Sequence, residues 1–207
     1  MATYRAIAAA ADAVIRLLRA NYRPELFDGN ELEFQVFGSQ DFSAGKIKCG
    51  VSLFVYRLTA DPSNRTPGGR RGPNGRLRRS ELPLEVHFLL TAWADEAPMQ
   101  NAIAGWMMRV LEDTPTLPAT LLNADGREVF RPDEAVEVVL GDLSTEELFE
   151  LWDVIAENNY QLSVPYVARV VRIESLLDED GGRRVVERAF EVGTVGPKPP
   201  PARGEER

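Results

Sequence analysis

The sequence predicts an α+β fold: a mixed, largely antiparallel sheet packed by three helices. Two adjacent patterns carry the prediction. Leu82, Leu84, Val86, Phe88, Leu90 and Ala92 fall on one side of an extended chain, opposite Glu85, His87, Thr91 and Trp93, a period of two. Pro98 then suits the first turn of a helix, and Met99, Ile103, Trp106, Met107, Val110 and Leu111 recur at helical spacing up to the break before Pro115. A strand with an apolar face feeding a helix with an apolar stripe is a two-layer unit, which the rest of the chain completes.

Thr3 is placed to cap a first helix from Tyr4 to about Asn21, with Ile7, Ala11, Val14, Ile15, Leu18 and Tyr22 on one face and Pro24 ending it. After the turn Asp28-Gly29-Asn30, Leu32, Phe34 and Val36 alternate with Glu33, Gln35 and Phe37 in a short strand that ends at Gly38. Gly45 opens a longer strand in which Ile47, Cys49, Val51, Leu53 and Val55 share a face. Phe54 and Tyr56 make its other face apolar as well, so it reads as an interior strand.

Beyond the central unit, Pro115 and Pro118 bracket an apolar patch, Leu117, Leu121 and Leu122, expected to seal one end of the core. Ala135 to Leu140 is a short strand. Ser144-Thr145-Glu146-Glu147 is a capping box, followed by Leu148, Leu151, Trp152 and Ile155 on one helix face, with Asn158-Asn159 closing the helix. Tyr160 to Glu174 is a long strand. Pro165 lacks a donor, which predicts an edge position or an irregularity there. Asp178 to Gly182 reads as a turn, with Arg184 to Val192 returning in a C-terminal hairpin.

With 207 residues, 44% of them apolar, the chain is long enough to bury a substantial core, and residues 1–192 read as one domain followed by an extended, proline-rich tail over 193–207. No stretch resembles a secretory h-region or is long enough to span a bilayer, so the expectation is a product made in the cytoplasm without membrane insertion. A single cysteine, Cys49, excludes an internal disulfide, and a single histidine, His87, cannot complete the usual zinc sets. Neither residue belongs to a recognisable catalytic pattern, and no cofactor motif is present: no enzyme, metal site or cofactor is predicted.

The segment from Asp61 to Ser80 differs from everything around it. Its only aliphatic side chain is Leu77, and Arg65, Arg70, Arg71, Arg76, Arg78 and Arg79 against Asp61 give it a charge of +5 in a chain of net −8, leaving −13 elsewhere. It is far longer than a hairpin connection normally is, and its composition predicts no packed element. These six arginines are the candidate partner-binding residues, suited to an acidic protein surface or a phosphate backbone. The overall negative charge argues against a general nucleic-acid binder.

Six blocks in order, YRAIAAAADAVIRLLR, VSLFVYRLTADPSNR, LPLEVHFLLTAWADE, RVLEDTP, LSTEELFELWDVI and YQLSVPYVARVVRIES, resemble the cap-protein family of phage-tail-like contractile injection systems over residues 4–175. The resemblance implies a tail-terminator-like fold and a non-enzymatic structural protein. It further implies a homo-hexameric ring on the distal end of the inner tube and sheath that ends their polymerisation. The alternatives are a terminator of a contractile phage tail and a nucleic-acid-contacting module that uses the arginine segment.

Overall fold

The structure, a computed structural model, describes residues 2–42, 45–65, 68, 70–71, 77–124, 126, 128–156 and 159–179. Along the chain, α1 (Ala6–Asn21) precedes β1 (Glu33–Phe37), β2 (Gly50–Ala60), β3 (Arg70–Arg71), β4 (Leu77–Arg78) and β5 (Leu82–Trp93). Then come α2 (Ala97–Asp113), β6 (Thr116–Pro118), α3 (Ala119–Leu122), β7 (Ala135–Leu140), α4 (Thr145–Ala156), β8 (Ser163–Ile173) and β9 (Asp178–Glu179). The expected hairpin strand over Arg184–Val192 and the tail over 193–207 lie outside the described residues.

Six strands form one mixed sheet in the order β1-β2-β5-β8-β7-β6, in which only β1 and β2 pair in parallel. The fold class is therefore the predicted one. The alternation along β5 sends Leu84, Val86, Phe88, Leu90 and Ala92 into a core with α1, α2, Leu117 of β6 and Leu122 of α3. Phe88 stacks on Tyr166 of β8 at 5.9 Å between ring centroids. The opposite face holds a second core that the alternation did not announce: Leu89 and Trp93 pack with Phe37, Phe42, Ile47, Trp152 and Ile155. Helices α1 and α2 thus cover one face of the sheet and α4 covers the other.

Three expectations are corrected. The first helix begins at Ala6, after Arg5, and Thr3 is not its cap; its hydroxyl accepts the Arg5 N–H at 3.3 Å. Strand β2 begins at Gly50 instead of Gly45, because Ile47 turns into the second core while Val51 and Leu53 enter the first. Strand β8 lies inside the sheet, between β5 and β7, and not at an edge. Pro165 is tolerated because it stands just past the last β7 pair, Leu140 with Tyr166, where its carbonyl accepts the Gly141 N–H at 2.9 Å and no N–H is needed. The irregularity of β8 is instead a bulge between the pairs Leu84–Val171 and Val86–Ala168, where Val170 has φ +60°, a conformation β-branched residues seldom adopt.

Burial pushes the Tyr166 hydroxyl from its ordinary 10.0 up to about 12. In the unfolded chain this phenol ionises first, so its contribution to stability is complete below pH 10 and disappears as pH rises towards 12. Stability should therefore fall more steeply over that interval in the wild type than in Tyr166→Phe, as measured by urea midpoints at successive pH values. Equal slopes would show that Tyr166 titrates alike in both states.

Candidate assembly surface

The arginine segment is not the featureless loop its composition predicts. Arg70–Arg71 and Leu77–Arg78 pair as β3 and β4, and β9 joins them through Leu77–Glu179 and Arg78–Asp178, so residues read as a turn supply a strand. The order β3-β4-β9 repeats β2-β5-β8, the strands to which they are joined in sequence. The three short strands form a second small sheet, referred to below as the arm. Two-residue strands have no periodicity to read in the sequence. Arg65 and Arg79 are exposed, Arg70, Arg71 and Arg78 lie on β3 and β4, and Arg76 is outside the described residues.

The two edges of the main sheet are poorly suited to receiving a strand. On β1 the Phe34 carbonyl is occupied by the Arg19 guanidinium at 2.8 Å. At the other edge β6 is three residues long, follows Pro115 and ends in Pro118. A short edge with prolines and an edge covered by an arginine both oppose strand addition. Side-chain surfaces are therefore the better candidates for partner contacts.

The outer face of α4 is the clearest such surface. The predicted capping box is present: Glu147 accepts the Ser144 N–H at 2.9 Å, and the Ser144 hydroxyl accepts the Glu147 N–H at 3.2 Å. The Ser144 N–H, then its hydroxyl, hold the Glu147 carboxyl below its usual range. Trp152 and Ile155 anchor the inner face of the helix. Outside stand Phe149, 49% exposed, and Val154, 82% exposed, at the two rims of the outer face, with Glu146, Glu150 and Asp153 between them. Phe149 meets Tyr160 edge-on at 5.2 Å, so an aromatic pair opens to solvent beside the acids. Residues 141–156 carry five acids and no base. Among the described residues, no ion pair engages Glu146, Glu150 or Asp153.

The residues with chemical potential elsewhere are held structurally. His87 Nε2 lies 3.0 Å from the Thr59 hydroxyl, and burial, with Arg57 nearby, lowers its pKa. Burial pushes the Cys49 thiol up, and Asp95 and Glu33 push it further, opposite to what a nucleophile needs. A polar cleft of about 260 Å³ beside the β8 bulge is lined by Glu81, Arg131, Asp133, Glu134 and Arg172; Glu81 pairs with both arginines, and Arg131 also with Glu174. Both of its arginines are engaged by acids of the fold.

A family model described as the Pvc16 N-terminal domain matches residues 9–187. The chain belongs to the Pvc16 N-terminal domain family. All but the first few residues of the six sequence blocks lie within the matched range, and so do the arm and α4. The fold of this family member is similar to the sheath/tube terminator of an extracellular contractile injection system, PVC, in its extended state, with TM-score 0.62 and 17% identity over 91% of this chain and 63% of that one. It is also similar to the tube-terminating cap of the anti-feeding prophage, with TM-score 0.58 and 18% identity over 87% of this chain and 59% of that one. The chain therefore spans about three-fifths of the length of these solved chains. No curated protein matches it.

Proposed function

We propose that this Pvc16-type chain is a structural cap that ends tube and sheath polymerisation at the distal end of a contractile injection particle. The observation that carries the reading is the agreement of a family match over residues 9–187 with a fold shared with two proteins described as tube terminators. The blunted sheet edges support it, because a terminator has to bind the last ring without offering a strand edge on which further subunits grow. A homo-hexameric ring is the form we assign: heterologous contacts that close on themselves give a ring and stop, whereas those that do not close give filaments. The cap is made in the cytoplasm, joins inner-tube and sheath proteins in the particle, and catalyses no reaction.

Removal of the gene tests this reading. Particles purified without the protein should show a broad distribution of tube and sheath lengths, or fall apart, and supplying the protein in trans should restore one length. A narrow, wild-type length distribution in its absence would refute the terminator role.

A further inference from the structure

We propose that the acidic outer face of α4 in one copy docks along the basic outer stripe of α1 in a second copy, with Glu146, Glu150 and Asp153 set against Arg5, Arg19 and Arg23. The inference rests on the reading of the chain as a ring-forming cap and names the two surfaces that join its copies.

Both surfaces are helix faces turned away from the core. On α1, Ala10, Val14, Leu17 and Leu18 are buried against the sheet, while Arg5, Asp12, Arg16 and Arg19 recur at helical spacing on the opposite side. Arg23 stands two residues beyond the helix end. Residues 1–23 thus carry four arginines against one acid, Asp12, in a chain of net −8. Arg19 donates to the Phe34 carbonyl at 2.8 Å, a neutral partner that orients the guanidinium and leaves its charge in place. Among the described residues, no ion pair engages Arg5, Arg19 or Arg23. A groove of about 260 Å³ runs beside the stripe, lined by Arg5, Ala8, Ala9, Asp12, Arg16 and Leu122, so a concave basic surface is open to a convex partner.

The α4 face has the complementary shape and charge. Its three acids run along the middle of the exposed face, spanning about 10 Å from Glu146 to Asp153 at helical rise, and residues 141–156 hold no base. Arginine suits this partner because its planar fork engages carboxylates through paired hydrogen bonds. The placement of the two helices decides how copies meet: α1 packs in the core on one face of the sheet and α4 in the core on the other, so the sheet keeps them apart within one chain. A contact between them joins one face of a copy to the opposite face of the next, which is head-to-tail, as ring closure requires. Asp12 lies within the stripe and opposes the incoming acids, so its removal should tighten the contact.

The test uses the full chain with two sets of reversed charges. One variant carries Arg5→Glu, Arg19→Glu and Arg23→Glu; the other carries Glu146→Arg, Glu150→Arg and Asp153→Arg. Association is followed by sedimentation velocity, with circular dichroism as the check of folding. Wild-type copies should associate, and each variant alone should do so at least about tenfold more weakly, since like charges then face each other. The α4 reversal brings the net charge nearer to zero, so its weaker association cannot come from overall repulsion. A chain carrying both sets should recover the wild-type association, because unlike charges again face each other at every contact. Asp12→Asn should associate more tightly than the wild type. If a reversal unfolds the chain, the neutral sets Arg5→Gln, Arg19→Gln and Arg23→Gln, or Glu146→Gln, Glu150→Gln and Asp153→Asn, replace it; each should weaken association and flatten its salt dependence.

A monomeric wild type, an α1 or α4 variant that associates normally, a combined chain no stronger than the single variants, or an Asp12→Asn chain no tighter than the wild type would overturn the proposal. These outcomes are separate from those of the gene-removal experiment. Irregular tubes without the protein, together with unaffected association of the charge variants, would leave the cap role standing and reject this interface alone.

Discussion

Replacing Trp152 by alanine is expected to lower the unfolding free energy by about 3–5 kcal/mol, the range for deleting a buried aromatic side chain. The indole is 1% exposed and is held at the centre of the second core, edge-on to Phe42 at 5.5 Å and 6.3 Å from Trp93. It is the main anchor of α4, so the loss should appear as early release of that helix as well as a lower denaturation midpoint. Trp152→Phe separates packing from polarity. The Trp152 N–H is buried with no partner among the described residues, whereas Trp93 donates to the Ser52 hydroxyl at 2.8 Å. Phenylalanine removes that unpaired donor along with part of the ring, so its cost should stay within about 1–2 kcal/mol. Urea unfolding of the two variants checks both statements. An unchanged midpoint in Trp152→Ala would mean that α4 is not fixed to the sheet through this residue.

The second large effect is expected at Gly50, where β2 begins beside β1. Its φ is +151°, and a Cβ there would lie 2.0 Å from the Glu33 carbonyl oxygen and 2.7 Å from the Glu33 nitrogen. Both are backbone atoms held by the parallel pairing of Glu33 with Gly50, so neither can turn aside as a side-chain tip would. Gly50→Ala combines backbone strain with overpacking, each of about 1–3 kcal/mol, and should cost at least about 2 kcal/mol. The damage should be local to β1 and the start of β2, seen as faster amide exchange at Gln35 and Phe37, whose N–H groups face β2, than at Phe88. Alanine at Gly105, on α2 with open space around it, is the control and should be neutral or stabilising. Equal stability of the two alanine variants would contradict the close approach at Gly50.

Those two sites also show what could be read from residues alone. The β5–α2 unit, β7 and the capped start of α4 were legible because each rests on local rules: a period, a proline or a capping box. Trp152 was legible as a buried residue, but its partners were not. The second core is assembled from Phe37, Phe42, Ile47, Leu89 and Trp93, which lie far apart in sequence and contribute one or two residues from each segment, so no window contains its pattern. Gly50 carries no local signal, because Ile47, Cys49 and Val51 continue the alternation of β2, although the chain turns before the strand begins. Pro165 was read by its missing donor, and whether that donor is needed depends on where β7 stops, a tertiary fact. Of the candidate site, charge was plain from Arg65 to Arg79. That the segment contains strands paired with Asp178–Glu179, and that α4 leaves Phe149 and Val154 uncovered, required the fold.

The central claim is one of position, and cryo-electron microscopy of intact particles tests it most directly. A reconstruction of the end opposite the baseplate should contain the six-stranded sheet, with α1 and α2 on one face and α4 on the other, as a single closed ring resting on the last tube and sheath layer. The same density should be missing there in particles lacking the gene. Density for this fold at the baseplate or repeating along the shaft, with an unchanged distal end in the deletion, would contradict the account.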